Sequence, residues 1–185
     1  MNEIEILNVK LFTRALQEKV ADKFSCGNPH IDSFIKSPLS LDNSYGKTYA
    51  FLSSDEETLI GFYNLGVGYI EKTGDVITRK MGGAIHINEF ALDLEYRNTL
   101  MGYDEEGKKV NLSDMLLNEC LERIETIRQN SLGFSFVTLC STDEGFSLYK
   151  RRDFEELEET MNFSVEYAEA KCTPMYYWLD QDDYI

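Results

Sequence analysis

The chain has 185 residues, 43% of them hydrophobic and 12% aromatic, which suits one globular domain with a sizeable core and excludes a disordered chain. Its formal net charge is −15, from 18 Lys and Arg against 33 Asp and Glu. That balance argues against nucleic-acid binding, which needs a basic phosphate track, and fits either plain solubility or a cationic partner.

Residues 4–11 mix apolar and polar positions and read as a first strand. Residues 12–22 are helical in composition. In SCGNPHIDSFIKS, Asn28 can cap a helix with Pro29 at its first position. Ile31, Phe34 and Ile35 share one face of it, and the pre-proline Ser37 ends it. Residues 47–52 and 59–70 read as an antiparallel hairpin across SSDEET, with Gly61, Gly66 and Gly68 marking bends or bulges. Residues 71–84 read as a loop. Within 85–92, Ile85 and Ile87 put the apolar face on odd positions, whereas Phe90 and Leu92 put it on even ones. That change of parity implies either a bulge near Asn88–Glu89 or a strand buried on both faces.

Residues 112–129 form the clearest helix, with Leu112, Leu116, Cys120, Ile124 and Ile127 on one face, Asn111 or Ser113 as cap and Gly133 in the stop signal. Residues 134–140 are nearly all apolar, the pattern of a buried parallel strand. With 85–92 and 112–129 they make a βαβ unit. Residues 143–152 read as a short helix capped by Ser141, Thr142 or Asp143, and 173–179 as a final strand. Residues 153–170 stay open between strand, helix and lid. The expected fold is α/β: a mixed sheet of about six or seven strands flanked by helices around a central βαβ unit, in a single domain over 1–185.

No apolar run approaches the ~20 residues of a membrane span, and the acidic start lacks the basic and apolar regions of an export signal, so neither membrane nor secretion is expected. Cys26, Cys120, Cys140 and Cys172 form no CxxC pair or short cluster, which leaves zinc and redox motifs unsupported. Cys120 and Cys140 lie in apolar runs and read as buried free thiols of a reduced cytoplasm. YGKT at 45–48 has Leu41 where a nucleotide loop needs glycine, and a strand follows it, so it is no such loop. His30 and His86 are the only histidines, and nothing local supports a histidine triad; each reads as structural. YRNTLMG at 96–102 offers the cation of Arg97 and the flexible Gly102, but Leu100 stands where a second glycine would help, and YDEEGKK precedes the helix. Taken alone it reads as a surface loop.

Four patterns nevertheless occur in order over roughly residues 20–180: FSCGNPHIDSFI, GKTYAFLSSDEETLIGFYNL, INEFALDLEYRNTLMG and GFSLYKRRDFEEL. Together they resemble the GNAT superfamily of acyl-CoA N-acyltransferases, and within it the branch that includes acetyltransferase toxins. Phe24, Cys26, Gly27, Asp32 and Phe34 match that branch's opening, with Ile31 for its leucine. The resemblance implies acetyl-CoA as co-substrate and no metal. It makes Arg97, Asn98, Thr99, Leu100, Met101 and Gly102 a pyrophosphate loop at a helix N-terminus, and the main chain of Phe90, Ala91 and Leu92 the partner of the pantetheine arm. It makes Tyr149 the acid for the departing thiolate and Glu89 a candidate base for the attacking amine. Leu100 for a glycine, Asp153 for the glycine before Phe154, and the insertion 103–110 depart from the pattern.

The function so implied is acetyl transfer to a primary amine, a cationic small molecule or protein, with a homodimer allowed for. Two alternatives stand beside it. One is a catalytically degenerate member serving as a binding module, favoured by Leu100 and the insertion. The other is a toxin that acetylates aminoacyl-tRNA, favoured by the 24–35 and 45–65 patterns and opposed by the net charge.

Overall fold

The computed structural model describes residues 7–163 and 172–179. In chain order these form β1 (Asn8–Leu11), α1 (Arg14–Val20), α2 (Pro29–Lys36), β2 (Lys47–Leu52), β3 (Leu59–Thr73), β4 (Thr78–Leu92), β5 (Leu100–Tyr103), β6 (Lys109–Asn111) and α3 (Leu112–Asn130). After them come β7 (Phe136–Ser141), α4 (Phe146–Lys150), β8 (Glu155–Glu156), β9 (Met161–Phe163) and β10 (Thr173–Trp178). Hydrogen bonding runs in the order β1-β2-β3-β4-β7-β10-β8, with β9 added on β3, and β5 and β6 form a separate two-stranded sheet. The α/β class and the βαβ unit stand as expected. β8 and β9 fall within 153–170, for which the sequence allows strand, helix or lid; 164–170 lies outside the described residues, as does the start of the first expected strand.

The chain folds as two compact units. The first holds the residues up to Asn64 together with Glu89–Arg123. In it β1 runs antiparallel to β2, from Asn8↔Leu52 to Leu11↔Tyr49. Helix α2 begins where the sequence placed it: Asn28 Oδ1 accepts the N–H of His30 at 3.0 Å and of Ile31 at 3.4 Å, and the helix stops at Ser37. Phe34 and Ile35 enter a core with Phe24, Ala50, Leu52 and Phe62. Each large side chain there contributes about 2–3 kcal/mol by leaving water. A Cβ on Gly61 would lie 2.7 Å from the Ala91 carbonyl, so glycine alone allows β3 this close to the end of β4.

The second unit holds Leu65–Asn88 and the residues from Ile124 onward. β4 runs parallel to β7 from Ala84↔Phe136 to Ile87↔Leu139, and β10 antiparallel to β7 from Thr173↔Ser141 to Trp178↔Phe136. Ala84, Ile85, His86 and Ile87 are all buried, so this stretch of β4 is covered on both faces, the second of the two expected readings. Residues 71–84 are not a loop. β3 continues to Thr73, the Gly74 N–H closes a turn on the Ile77 carbonyl, and β4 starts at Thr78. Pairing with β9, Ile70↔Phe163 to Lys72↔Met161, holds these polar residues extended where composition suggested a loop.

The expectation for Cys140 is also corrected, because it is disulfide-bonded to Cys172 at a Cα–Cα distance of 5.5 Å. The antiparallel register sets Pro174 opposite Cys140, which brings Cys172 within reach. Nothing local signals a partner 32 residues away. Cys26 and Cys120 are buried thiols. No helix among the described residues is long and apolar enough to cross a membrane.

Candidate active site

Glu89 stands near the end of β4 with only 7% of its surface exposed. Two side chains reach its Oε1. His30 Nε2, from the first turn of α2, lies 3.4 Å away, and Tyr45 Oη, from the connection ahead of β2, lies 3.5 Å away. The Tyr45 ring leans on Phe34 of the core at 5.4 Å between centroids. Burial pushes the Glu89 carboxyl up to about 7, against the charge and hydrogen bond of His30 and the hydroxyl of Tyr45. Burial, and next the charge of Glu89, push Tyr45 up to about 12, so it stays protonated and can donate to the carboxylate. A carboxyl half ionised at neutral pH suits the removal of a proton from an amine. The sequence singled out Glu89, whereas His30 read as structural. Its partnership is a tertiary contact between α2 and β4 that no local spacing announces.

The stretch 97–102 is a turn followed by a strand. Asp93 accepts the Glu95 N–H at 3.0 Å and shapes a 3-10 turn over Leu94–Tyr96. The Arg97 N–H then donates to the Leu94 carbonyl at 3.3 Å and the Thr99 N–H to the Tyr96 carbonyl at 3.2 Å, while Asn98 takes a left-handed φ of 65°. Leu100, Met101 and Gly102 belong to β5, which pairs with β6 across a register shift between Leu100 and Gly102. The Arg97 and Thr99 amides therefore serve a turn, and Leu100 and Gly102 stand in a ladder. The insertion 103–110 is the rest of this hairpin. It leaves and returns, so that the Leu112 N–H at the start of α3 donates to the Thr99 carbonyl at 2.9 Å. The turn thus abuts the helix N-terminus despite the insertion. The exposed Asp104, Glu105 and Glu106 lie at the hairpin tip, where Asp104 accepts the N–H groups of Glu106 and Lys108 and Gly107 has a φ of 78°. Arg97 Nη2 donates to the Cys26 carbonyl at 2.5 Å, which ties this turn to the FSCGN segment.

Ala91 and Leu92 are buried and Phe90 is half-buried. The ladder with β7 covers Ala84–Ile87, while β4 continues to Leu92. A cavity of about 440 Å³ is lined by Phe24, Ser25, Leu59, Asp93, Leu94 and Tyr96 among others; Glu89 is not part of its wall.

In the second unit, Tyr149 lies on α4, 7% exposed, its ring edge-on to Phe154 at 5.7 Å. A Cβ on Gly145 would come within 3.1 Å of that ring, so glycine lets the tyrosine fold back over the start of its helix. Asp153, at the position where the resembled pattern has glycine, adopts a φ of 61°, which aspartate tolerates better than most side chains.

No family model and no curated protein matches the chain. Solved structures do. A bacterial toxin is 21% identical, with 95% of this chain and 93% of that one covered and a TM-score of 0.65. AtaTR bound with AcCoA is 14% identical over 96% of both chains at 0.69. AtaT complexed with acetyl-methionyl-tRNAfMet is 13% identical, covering 96% and 98%, at 0.66. Mosquito arylalkylamine N-acetyltransferase like 5b is 11% identical, covering 94% and 100%, at 0.52. The chain shares their fold, the one its sequence patterns resemble.

Proposed function

We propose that the chain is an N-acetyltransferase that moves the acetyl group of acetyl-CoA onto a primary amine. The observation that carries this reading is Glu89, a buried carboxyl near neutrality on the strand that the resembled family sets beside its pantetheine arm. The acceptor arrives as an ammonium and gives one proton to Glu89. The free amine attacks the thioester carbonyl, polarised by a β4 amide N–H, and the C–S bond of the adduct breaks. Tyr149 gives its proton to the thiolate and recovers one from the new amide nitrogen. The turn 97–99 beside the first turn of α3, with the Arg97 side chain, is where the diphosphate of acetyl-CoA belongs. A net charge of −15 favours a cationic acceptor, a small molecule or a protein.

Two other readings each have an observation behind them. The N–H groups of Arg97 and Thr99 are already engaged, which suits a binding module without acetyl-CoA. Lys150, Arg151 and Arg152 directly follow Tyr149, and Arg152 Nε is buried without a hydrogen-bond partner among the described residues. In so acidic a chain this basic run suits an RNA phosphate, and with the likeness to AtaT it supports aminoacyl-tRNA as the acceptor. Calorimetric titration with acetyl-CoA, followed by thiol release with a polyamine, a lysine peptide and a charged tRNA, separates the three. Micromolar binding weakened by Arg97→Ala is expected, with the cationic amine turned over fastest. No binding up to millimolar acetyl-CoA leaves the binding module, and turnover confined to the charged tRNA leaves the toxin reading.

A further inference from the structure

We infer that His30 is the proton outlet of Glu89, a positioning residue through which the buried carboxyl exchanges its proton with solvent. The inference rests on the reading of Glu89 as the base for acetyl transfer.

The geometry has three parts. Glu89 is 7% exposed, so its carboxyl meets little water directly. The His30 side chain is 55% exposed and its Nε2 stands 3.4 Å from Glu89 Oε1, so one group touches both the carboxyl and the solvent. The Asn28 side chain holds the His30 N–H at 3.0 Å and fixes this part of α2. The titratable groups acting on Glu89 are His30 from α2 and Tyr45 from the connection before β2. Tyr45 cannot carry the proton away, because its phenol already holds one and is pushed up to about 12. The other charged residues of α2 are Asp32 and Lys36. Asp32 is committed to the Cys26 N–H at 2.7 Å and to Ser25 Oγ at 3.0 Å. That leaves the imidazole as the exit.

The proton balance closes. The ammonium loses one proton to Glu89, Glu89 passes it to His30 Nε2, and His30 releases it to water, leaving Glu89 ionised for the next acceptor. The second proton on nitrogen reaches the CoA sulfur through Tyr149. One ammonium and one thioester thus yield one amide, one thiol and one solvent proton.

The test compares full-length wild type, His30→Ala, His30→Gln and Glu89→Gln. Thiol release is followed from pH 5.5 to 9 with and without added imidazole. His30→Ala is expected to lose roughly ten-fold in kcat at pH 7, less than the loss in Glu89→Gln, and to recover part of it with imidazole, which can reach a side chain this exposed. Acetyl-CoA affinity should be unchanged. A wild-type rate in His30→Ala, or a loss that imidazole does not lift, overturns the outlet. A second measurement needs no turnover: carbon NMR of the Glu89 carboxyl, which should titrate higher in His30→Gln than in wild type. An unchanged titration overturns the coupling whatever the rates show. If wild type transfers no acetyl group to any amine, the function reading fails instead, and the carboxyl titration still decides the pair.

Discussion

Asp32 and Glu89 are two carboxylates of the same unit, and they end in opposite states. Burial pushes both upward. Asp32 accepts a main-chain N–H from Cys26 at 2.7 Å and the Ser25 hydroxyl at 3.0 Å, and these donors hold it below its usual range. Glu89 is met by two side chains at 3.4 and 3.5 Å, too long to offset its desolvation, and it stays near 7. Depth and donor distance together separate the two: Glu89 is the more deeply buried and its donors stand farther off, so it can trade protons, whereas the half-buried Asp32 with short donors fastens the chain.

The largest effect should come from Glu89→Gln, which removes the proton acceptor and keeps the shape. Turnover at pH 7 should fall by about 10²–10⁴ with acetyl-CoA affinity intact. A near-wild-type rate would erase the functional half of the contrast.

Removing the disulfide with Cys140→Ser should cost about 3 kcal/mol in urea unfolding and leave the Glu89 titration where it was. Glu89→Gln should also change stability, in a stated pH window. Because folding raises this carboxyl, the stability it contributes is full below its unfolded value, about 4.5, and is lost as pH climbs through about 7. The glutamine variant should therefore gain on wild type between those values and exceed it by about 2–3 kcal/mol at pH 8. Melting curves that stay parallel from pH 5 to 8 would contradict the buried, raised carboxyl. Asp32→Ala should behave in mirror image. Folding depresses this group, so its contribution is present above its usual value of about 4 and lost as pH falls through the folded one. Loss of its two donors' partner should cost about 1–3 kcal/mol at pH 7, and little in strong acid.

The same contrast marks what the sequence could reveal. Asn28 and Pro29 act on neighbours within a few residues, so the helix cap could be read directly, whereas Asp32 stands out in the sequence only as part of the resembled opening. The apolar stripe of α3 and the buried run of β7 were equally plain. Glu89 was visible as a carboxylate on a central strand, but its partners come from α2 and from the connection before β2, and only the fold joins them. The β5–β6 hairpin escaped because its strands are short and mostly exposed and its turn is acidic, so it looks like a loop. The Cys140–Cys172 pair escaped because only the β7–β10 register brings it together. For the same reason nothing in the sequence links His30 to Glu89.

Tyr45→Phe should give the smallest effect, and it probes the contrast most finely. The phenol stays protonated and points a donor at Glu89 from 3.5 Å, so it does weakly what the Cys26 N–H does strongly for Asp32. Of the influences that hold Glu89 down, Tyr45 ranks behind both contributions of His30. Its removal should raise the Glu89 titration by a fraction of a pH unit. The acid limb of kcat/KM should move with it, a loss of roughly two-fold at pH 6 that vanishes by pH 8. The ring keeps its place against Phe34, so folding stability should barely change. A loss as large as that in Glu89→Gln would mean that the phenol, not the carboxyl, handles the proton. Glu89 would then be a held carboxylate like Asp32, and the difference between the two would disappear.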